Sequence, residues 1–347
     1  MELLSRPQRK RVSRDGFRTR SITPVTVAFL MALVCYPILG PSAVQAQSRR
    51  ITVVYPSMSG GFTPLWIAHE EGLFAKQGIN VNPVYIQGGS RAVQALIAKD
   101  ADVAIVSGGV IEASLRGADL KFIAAHLPNL VFSLYARPEI HRIDELRGKV
   151  VGVTRYGTPT MYSAILALRK TRMDPIKDVK ILATGGISET LAAMQVGTVH
   201  AGILSAPVTL RARNLGFHEI IRIGELGVPF IHDGIVASRT EIATHPRDIE
   251  AFLQGFIDGI RLYKTNTALA EKIMSKYTRV TDTATLRETY DTFNREFTAQ
   301  PFIPRETISN MLQLIAETEP SAAKANPEDF IDNRFLQNLR ARGYFNR

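Results

Sequence analysis

Cysteine is nearly absent: Cys35 is the only one in 347 residues. That excludes a disulfide framework within the chain and any site built on paired cysteines. Also missing are HExxH, a GxSxG elbow and the phosphate-loop lysine signature, which removes three common catalytic chemistries. The seven histidines are scattered, and His69-Glu70-Glu71 lacks a second histidine one helical turn away. No metal site and no cofactor follow from such spacing. No basic stripe interleaved with aromatic residues runs along the chain, so nucleic acid is not an expected partner.

The formal net charge is +10, and residues 1–46 supply half of it. Residues 1–20 hold seven Arg and Lys against Glu2 and Asp15, residues 25–39 are apolar, and Pro41-Ser42-Ala43-Val44-Gln45-Ala46 ends the stretch on small residues. This order predicts a secretory signal peptide over residues 1–46, cleaved after Ala46, and a periplasmic location. The apolar run is short for a membrane span and Pro37 interrupts it; a retained N-terminal anchor is the alternative. Val34 stands where a lipoprotein signal carries a small residue, so lipid attachment at Cys35 is not expected. The rest of the chain is mildly basic, as an ordinary solvated surface is.

What the chain has in quantity is one device, repeated. Residues 51–55 form a β-branched apolar run, residues 57–61 a small-residue turn, and Thr63-Pro64 a helix start with a hydroxyl to cap it. Leu65, Ala68, Leu73 and Phe74 continue on helical spacing until Gly78 stops the helix. Further strand, loop and helix units follow at Gly88-Gly89-Ser90 and Ser107-Gly108-Gly109, and the pattern restarts near residue 150. With an offset of 98, residues 92–110 align with residues 190–208, bringing Ser107 onto Ser205. The fold class expected is therefore α/β, mainly parallel, in two lobes with a helical C-terminal part. Lobe 1 is assigned residues 47–137 plus 236–347, and lobe 2 residues 138–235. In the C-terminal part, Phe252, Phe256, Ile260 and Tyr263 share one helical face and read as core.

In open α/β sheets, ligands collect outside the carboxyl ends of the strands. The loops there nominate Phe62, Thr63, Gly89, Ser90, Ser107, Gly108, Tyr156, Gly157, Thr158 and Ser205 as ligand-binding residues, with Phe62, Trp66 and Tyr156 as aromatic walls. His232, beside Asp233, joins them because the chain is expected to cross between lobes there; a structural hydrogen bond at the crossing is the competing role.

The runs FTPLWIAHEEGLFAKQGINV, QGGSRAVQALIAKDADVAI, IDELRGKVVGV and IDNRFLQNLRARGYF together resemble the periplasmic solute-binding proteins of ABC transporters. The branch is the nitrate, sulfonate and taurine group with its thiamine-pyrimidine-precursor relatives. The resemblance implies a two-lobed periplasmic-binding-protein-like fold with a ligand cleft between lobes. It further implies a monomer that takes a small sulfonate, carboxylate or pyrimidine-like solute to a membrane permease, without catalysis. The sequence departs from the pattern at His200, where an acidic residue is usual. A branch of the same fold acts as a pyrimidine-precursor synthase with iron and pyridoxal phosphate, and its cysteine motif is missing here. Enzyme and sensor receptor stand as the alternatives to uptake.

Overall fold

The computed structural model describes residues 49–346. The signal peptide expected over residues 1–46, its cleavage after Ala46, and Cys35 lie outside the described residues. Ten strands follow one another: β1 (Arg50–Tyr55), β2 (Asn80–Tyr85), β3 (Val103–Val106), β4 (Leu120–Leu127), β5 (Ser133–Ala136), β6 (Val150–Val153), β7 (Lys180–Ala183), β8 (Ala201–Leu204), β9 (His218–Arg222) and β10 (Asp233–Ser238). They build two sheets, ordered β2-β1-β3-β10-β4 and β7-β6-β8-β5-β9.

The two sheets have one plan. In each, three parallel strands are followed by an antiparallel strand and an edge strand. The offset of 98 carries β3 onto β8 residue for residue, and the helix Gly89–Ile97 onto Ile187–Gln195. β3 and β8 are buried along their whole length, as parallel strands covered on both faces must be. The repeated unit is therefore a repeated structure.

The fourth strand of each sheet is the one that crosses over. β5 follows β4 in the chain but pairs with β8 and β9 of the second sheet. β10, made after that sheet is complete, returns to lie between β3 and β4. The expected lobe boundaries differ from the sheets at both crossings: the boundary at residue 137 leaves β5 in lobe 1, and the boundary at residue 235 cuts β10. The crossing near His232 was expected, but an apolar run announces a strand and not its partner, so the pattern did not say which sheet β5 or the start of β10 would join.

Helices occupy the connections: α1 (Thr63–Glu70), α2 (Leu73–Lys76), α3 (Gly89–Ile97), α4 (Val110–Leu115), α5 (Pro159–Lys170), α6 (Ile187–Gln195) and α7 (Val208–Asn214). The C-terminal part adds α8 (Arg239–Thr244), α9 (Pro246–Thr265), α10 (Thr267–Thr278), α11 (Thr283–Glu296), α12 (Arg305–Ile315) and α13 (Arg334–Ala341). The first helix is not continuous to Gly78. Gly72 takes a left-handed φ of 64° and splits it into α1 and α2. Thr63 is the first helical residue rather than the cap; Phe62 holds the cap position.

Phe252, Phe256, Ile260 and Tyr263 on α9 are fully buried. They belong to the apolar cluster that packs α1 and the C-terminal helices on the first sheet. A second cluster runs from Val106 and Phe122 of the first sheet through Phe132, Phe230 and Met311 to Val151 and Ile203 of the second. The crossings are thus embedded in apolar packing.

Candidate functional site

Strand-end loops of both sheets converge on a cavity of about 220 Å³. One wall comes from the first sheet: residues 56–59 after β1, Tyr85 and Gln87 after β2, and Ser107 and Gly108 after β3. The other comes from the second: Thr154, Thr158 and Thr160 around the start of α5, residues 185–189 at the start of α6, and residues 205–208 after β8. Phe132, His232 and Asp233, at the two crossings, complete the lining. The volume is small for a ligand site, which suits a solute built on a single ring.

The two walls touch. A β-carbon added to Gly108 would lie 2.7 Å from Thr158 Cα and 2.8 Å from the Gly157 carbonyl oxygen, so only a bare backbone fits. Gln87 Nε2 donates to Glu189 Oε1 at 2.6 Å, and the Tyr162 hydroxyl donates to Glu112 Oε1 at 2.6 Å. Burial pushes the Glu112 carboxyl and the Tyr162 phenol upward, which favours keeping the proton at this contact. Arg213 pairs with Glu288, and Arg169 with Glu317. Each contact joins an element of one sheet's half to an element of the other.

At the inner end, His232 and Asp233 are 5% and 6% exposed. The Val131 amide donates to His232 Nδ1 at 3.0 Å, and the ring packs against Phe132 at a tilt of 33° with centroids 4.3 Å apart. A ring whose Nδ1 accepts must carry its proton on Nε2, so Nε2 is a donor. It lies 3.7 Å from Asp233 Oδ2, beyond a hydrogen bond. Burial, reinforced by nearby His126, lowers His232 to about 3, so the ring is neutral. Burial likewise pushes the Asp233 carboxyl well above its usual range.

Of the expected ligand residues, the cavity brings together Phe62, Gly89, Ser107, Gly108, Thr158, Ser205 and His232. Thr63 and Trp66 are fully buried instead. Trp66 stacks on Tyr277 with centroids 4.6 Å apart, and its place after Pro64 turns it into the core rather than toward the cavity. Ser90 and Gly157 flank the lining without joining it. Tyr156 is 58% exposed, and its hydroxyl donates to the Ile181 carbonyl.

The two matched serines differ in use. Ser107 Oγ donates to the Ile231 carbonyl at 2.5 Å, tying the end of β3 to the returning crossing. The Ser205 carbonyl accepts from the Val208 amide at 3.0 Å, but its hydroxyl has no hydrogen-bond partner among the described residues, and the residue lines the cavity. Neither caps the helix that follows it. Sequence reasoning missed Tyr85, Gln87, Glu189 and Asp233 as lining residues. Tyr85 ends β2 on the ligand side, a position the strand pattern identifies; the contact between Gln87 and Glu189 exists only once the lobes meet.

Two α/β lobes with matching sheets, meeting over a cleft at their strand ends, define the periplasmic-binding-protein fold. The chain belongs to the NMT1/THI5-like family, whose model matches residues 59–266. The alkanesulfonate-binding protein SsuA from Xanthomonas axonopodis pv. citri, solved bound to MOPS, superposes with a TM-score of 0.67 at 15% identity, covering 80% of this chain and 95% of its own. A Candida albicans protein described as having the generic periplasmic binding protein fold gives 0.68 at 14% identity, covering 82% and 96%. In sequence, YtlA of Bacillus subtilis (strain 168) is 26% identical over 144 residues, 40% of this chain and 42% of that protein's length.

Proposed function

We propose that this protein is an extracytoplasmic solute-binding protein of an ABC importer. It captures a small polar or pyrimidine-like organic solute between its lobes and delivers it to a permease in the membrane. The observation that carries this is the cleft itself: both lobes contribute strand-end loops to one small cavity, and their walls meet around it. The names of the family and of the superposed sulfonate binder support the same role.

One lobe comprises β1–β4, β10 and the C-terminal helices, the other β5–β9, with hinges at the crossings near residues 128–132 and 223–232. A ligand that contacts both walls gains those contacts only when they meet, so binding favours the closed arrangement. The protein acts as a monomer and as a binder rather than a catalyst. The binding role is supported by the use of Ser107 and His232, which hydrogen-bond to the Ile231 carbonyl and the Val131 amide and tie the cleft to its crossings.

Small-angle scattering on the purified full chain, with and without a ligand identified by thermal shift, tests the proposal. Ligand should lower the radius of gyration. An unchanged radius at saturation would argue for a rigid module and against transport by lobe closure.

A further inference from the structure

Asp233 is the one carboxyl at the inner end of the cleft, and it is nine-tenths buried. Among the described residues its carboxylate makes no hydrogen bond; His232 Nε2 lies 3.7 Å away, and the Gly61 backbone packs alongside. A buried carboxyl left without partners is costly, since desolvation is then uncompensated. Asp332, by contrast, holds Arg334 through three hydrogen bonds to its side chain.

The rest of the lining points the same way. Among the described residues around the cavity there is no Lys and no Arg; Arg155, whose guanidinium packs against Gly88, is not among them. The second carboxyl, Glu189, already accepts from Gln87 and lies over the backbone at Gly186, where it occupies the start of α6. Of the side chains that line the cavity two are acidic and none is basic; Arg155 stands behind Gly88 with a buried Nε that has no hydrogen-bond partner among the described residues. Phe62, Tyr85 and Phe132 contribute aromatic rings to the same lining.

We propose that the inner end of the cleft is a subsite for a cationic or N–H-donating head group, an amine, amidine or amino-substituted heterocycle, read by the Asp233 carboxylate with the ligand's ring between the aromatic side chains. This deepens the solute-binding proposal and rests on it. Asp233 is the residue that sets head-group specificity, and free sulfonates and carboxylates are selected against. The carboxyl's upward shift by burial fits: a cation within hydrogen-bond distance restores the ionised form, so binding of an amine releases a proton. The groups facing Asp233 are neutral His232, with fully buried His126 behind it and the bare backbone of Gly61 alongside.

The test uses probes with one ring and different heads: benzylamine, benzamidine and 2-aminopyrimidine against benzoate and benzenesulfonate, measured by calorimetry on the full chain and on Asp233→Asn. The nitrogen heads should bind the unmodified protein more tightly, and Asp233→Asn should weaken benzylamine and benzamidine by about tenfold or more. Proton release, read from buffers of different ionisation enthalpy, should accompany the amine and vanish in the variant. A ranking led by benzoate or benzenesulfonate overturns the head-group proposal while leaving solute binding intact. Binding of none of the five, with no scattering change for any thermal-shift ligand, overturns the solute-binding proposal itself. If Asp233→Asn fails to fold, the ranking on the unmodified protein still decides.

Discussion

Gly108→Ala places a methyl group where the two walls of the cleft meet. The added carbon would sit 2.7 Å from Thr158 Cα, 2.8 Å from the Gly157 carbonyl oxygen and 3.0 Å from Pro159 Cδ. All three are backbone or ring atoms with no rotamer to swing away. Ordinary contact begins near 3.4 Å, so the walls must part by roughly 0.7 Å. Overpacking of this kind costs about 1–3 kcal/mol. The cost falls on the closed arrangement alone, because in an open cleft the methyl group meets solvent. At about 1.4 kcal/mol per decade, affinity for a cleft ligand should drop roughly 5- to 150-fold. Calorimetry with a thermal-shift ligand measures it, and denaturant unfolding without ligand shows whether the empty protein is already closed. Affinity within twofold of the parent, with the same ligand-induced compaction, would refute closure through this contact.

Ser107→Ala removes a buried hydrogen bond and strands the Ile231 carbonyl, so unfolding free energy should fall by about 1–3 kcal/mol in urea melts. Ser205→Ala breaks no protein hydrogen bond; it should leave the melt nearly unchanged and weaken a cleft ligand about 2- to 12-fold by calorimetry. His126 is fully buried between Phe256 and Phe297, and burial lowers it to about 3. Below pH 6.5 the unfolded chain protonates this ring while the folded chain does not. The stability it confers is therefore complete above pH 6.5 and declines as pH falls toward 3, by about 1.4 kcal/mol per pH unit. His232 adds the same sign and Asp233 the opposite, so the comparison with His126→Leu isolates one proton. Urea unfolding from pH 4 to 7 should show the variant's slope shifted by that amount, and parallel slopes would refute the assignment.

The sequence made much of this legible because the repeat constrains two stretches at once. Ser107 and Ser205 end matched strands, and the offset of 98 held through α3 and α6. Local chemistry placed the strand-end loops, since β-branched runs followed by glycine leave few alternatives. It failed where a residue's neighbour comes from far along the chain. Trp66 looked like a wall because it sits early in a helix facing the cleft; its stacking partner, Tyr277, lies on α10 and was invisible in the pattern. Ser107 lines the cavity as expected, but that its hydroxyl donates to the Ile231 carbonyl from the other crossing was invisible in the pattern. Asp233 was noticed only as the neighbour of His232, because burial without a partner is a property of the folded state.

The reciprocal crossing of β5 and β10 has a consequence for how the chain is made. As synthesis proceeds from the N-terminus, β1, β2, β3 and β4 emerge first, but the slot between β3 and β4 stays vacant until β10 follows. During that interval β3 presents an unfilled row of amide and carbonyl groups on a strand that is apolar on both faces, a ready template for wrong pairing. The second sheet has no such wait once β9 is made, since β5 precedes all its partners. The half of the molecule begun first is therefore the half finished last. A chain halted just short of residue 233 would carry one complete sheet and one with an open seam, and its solubility would depend on whatever shields that seam.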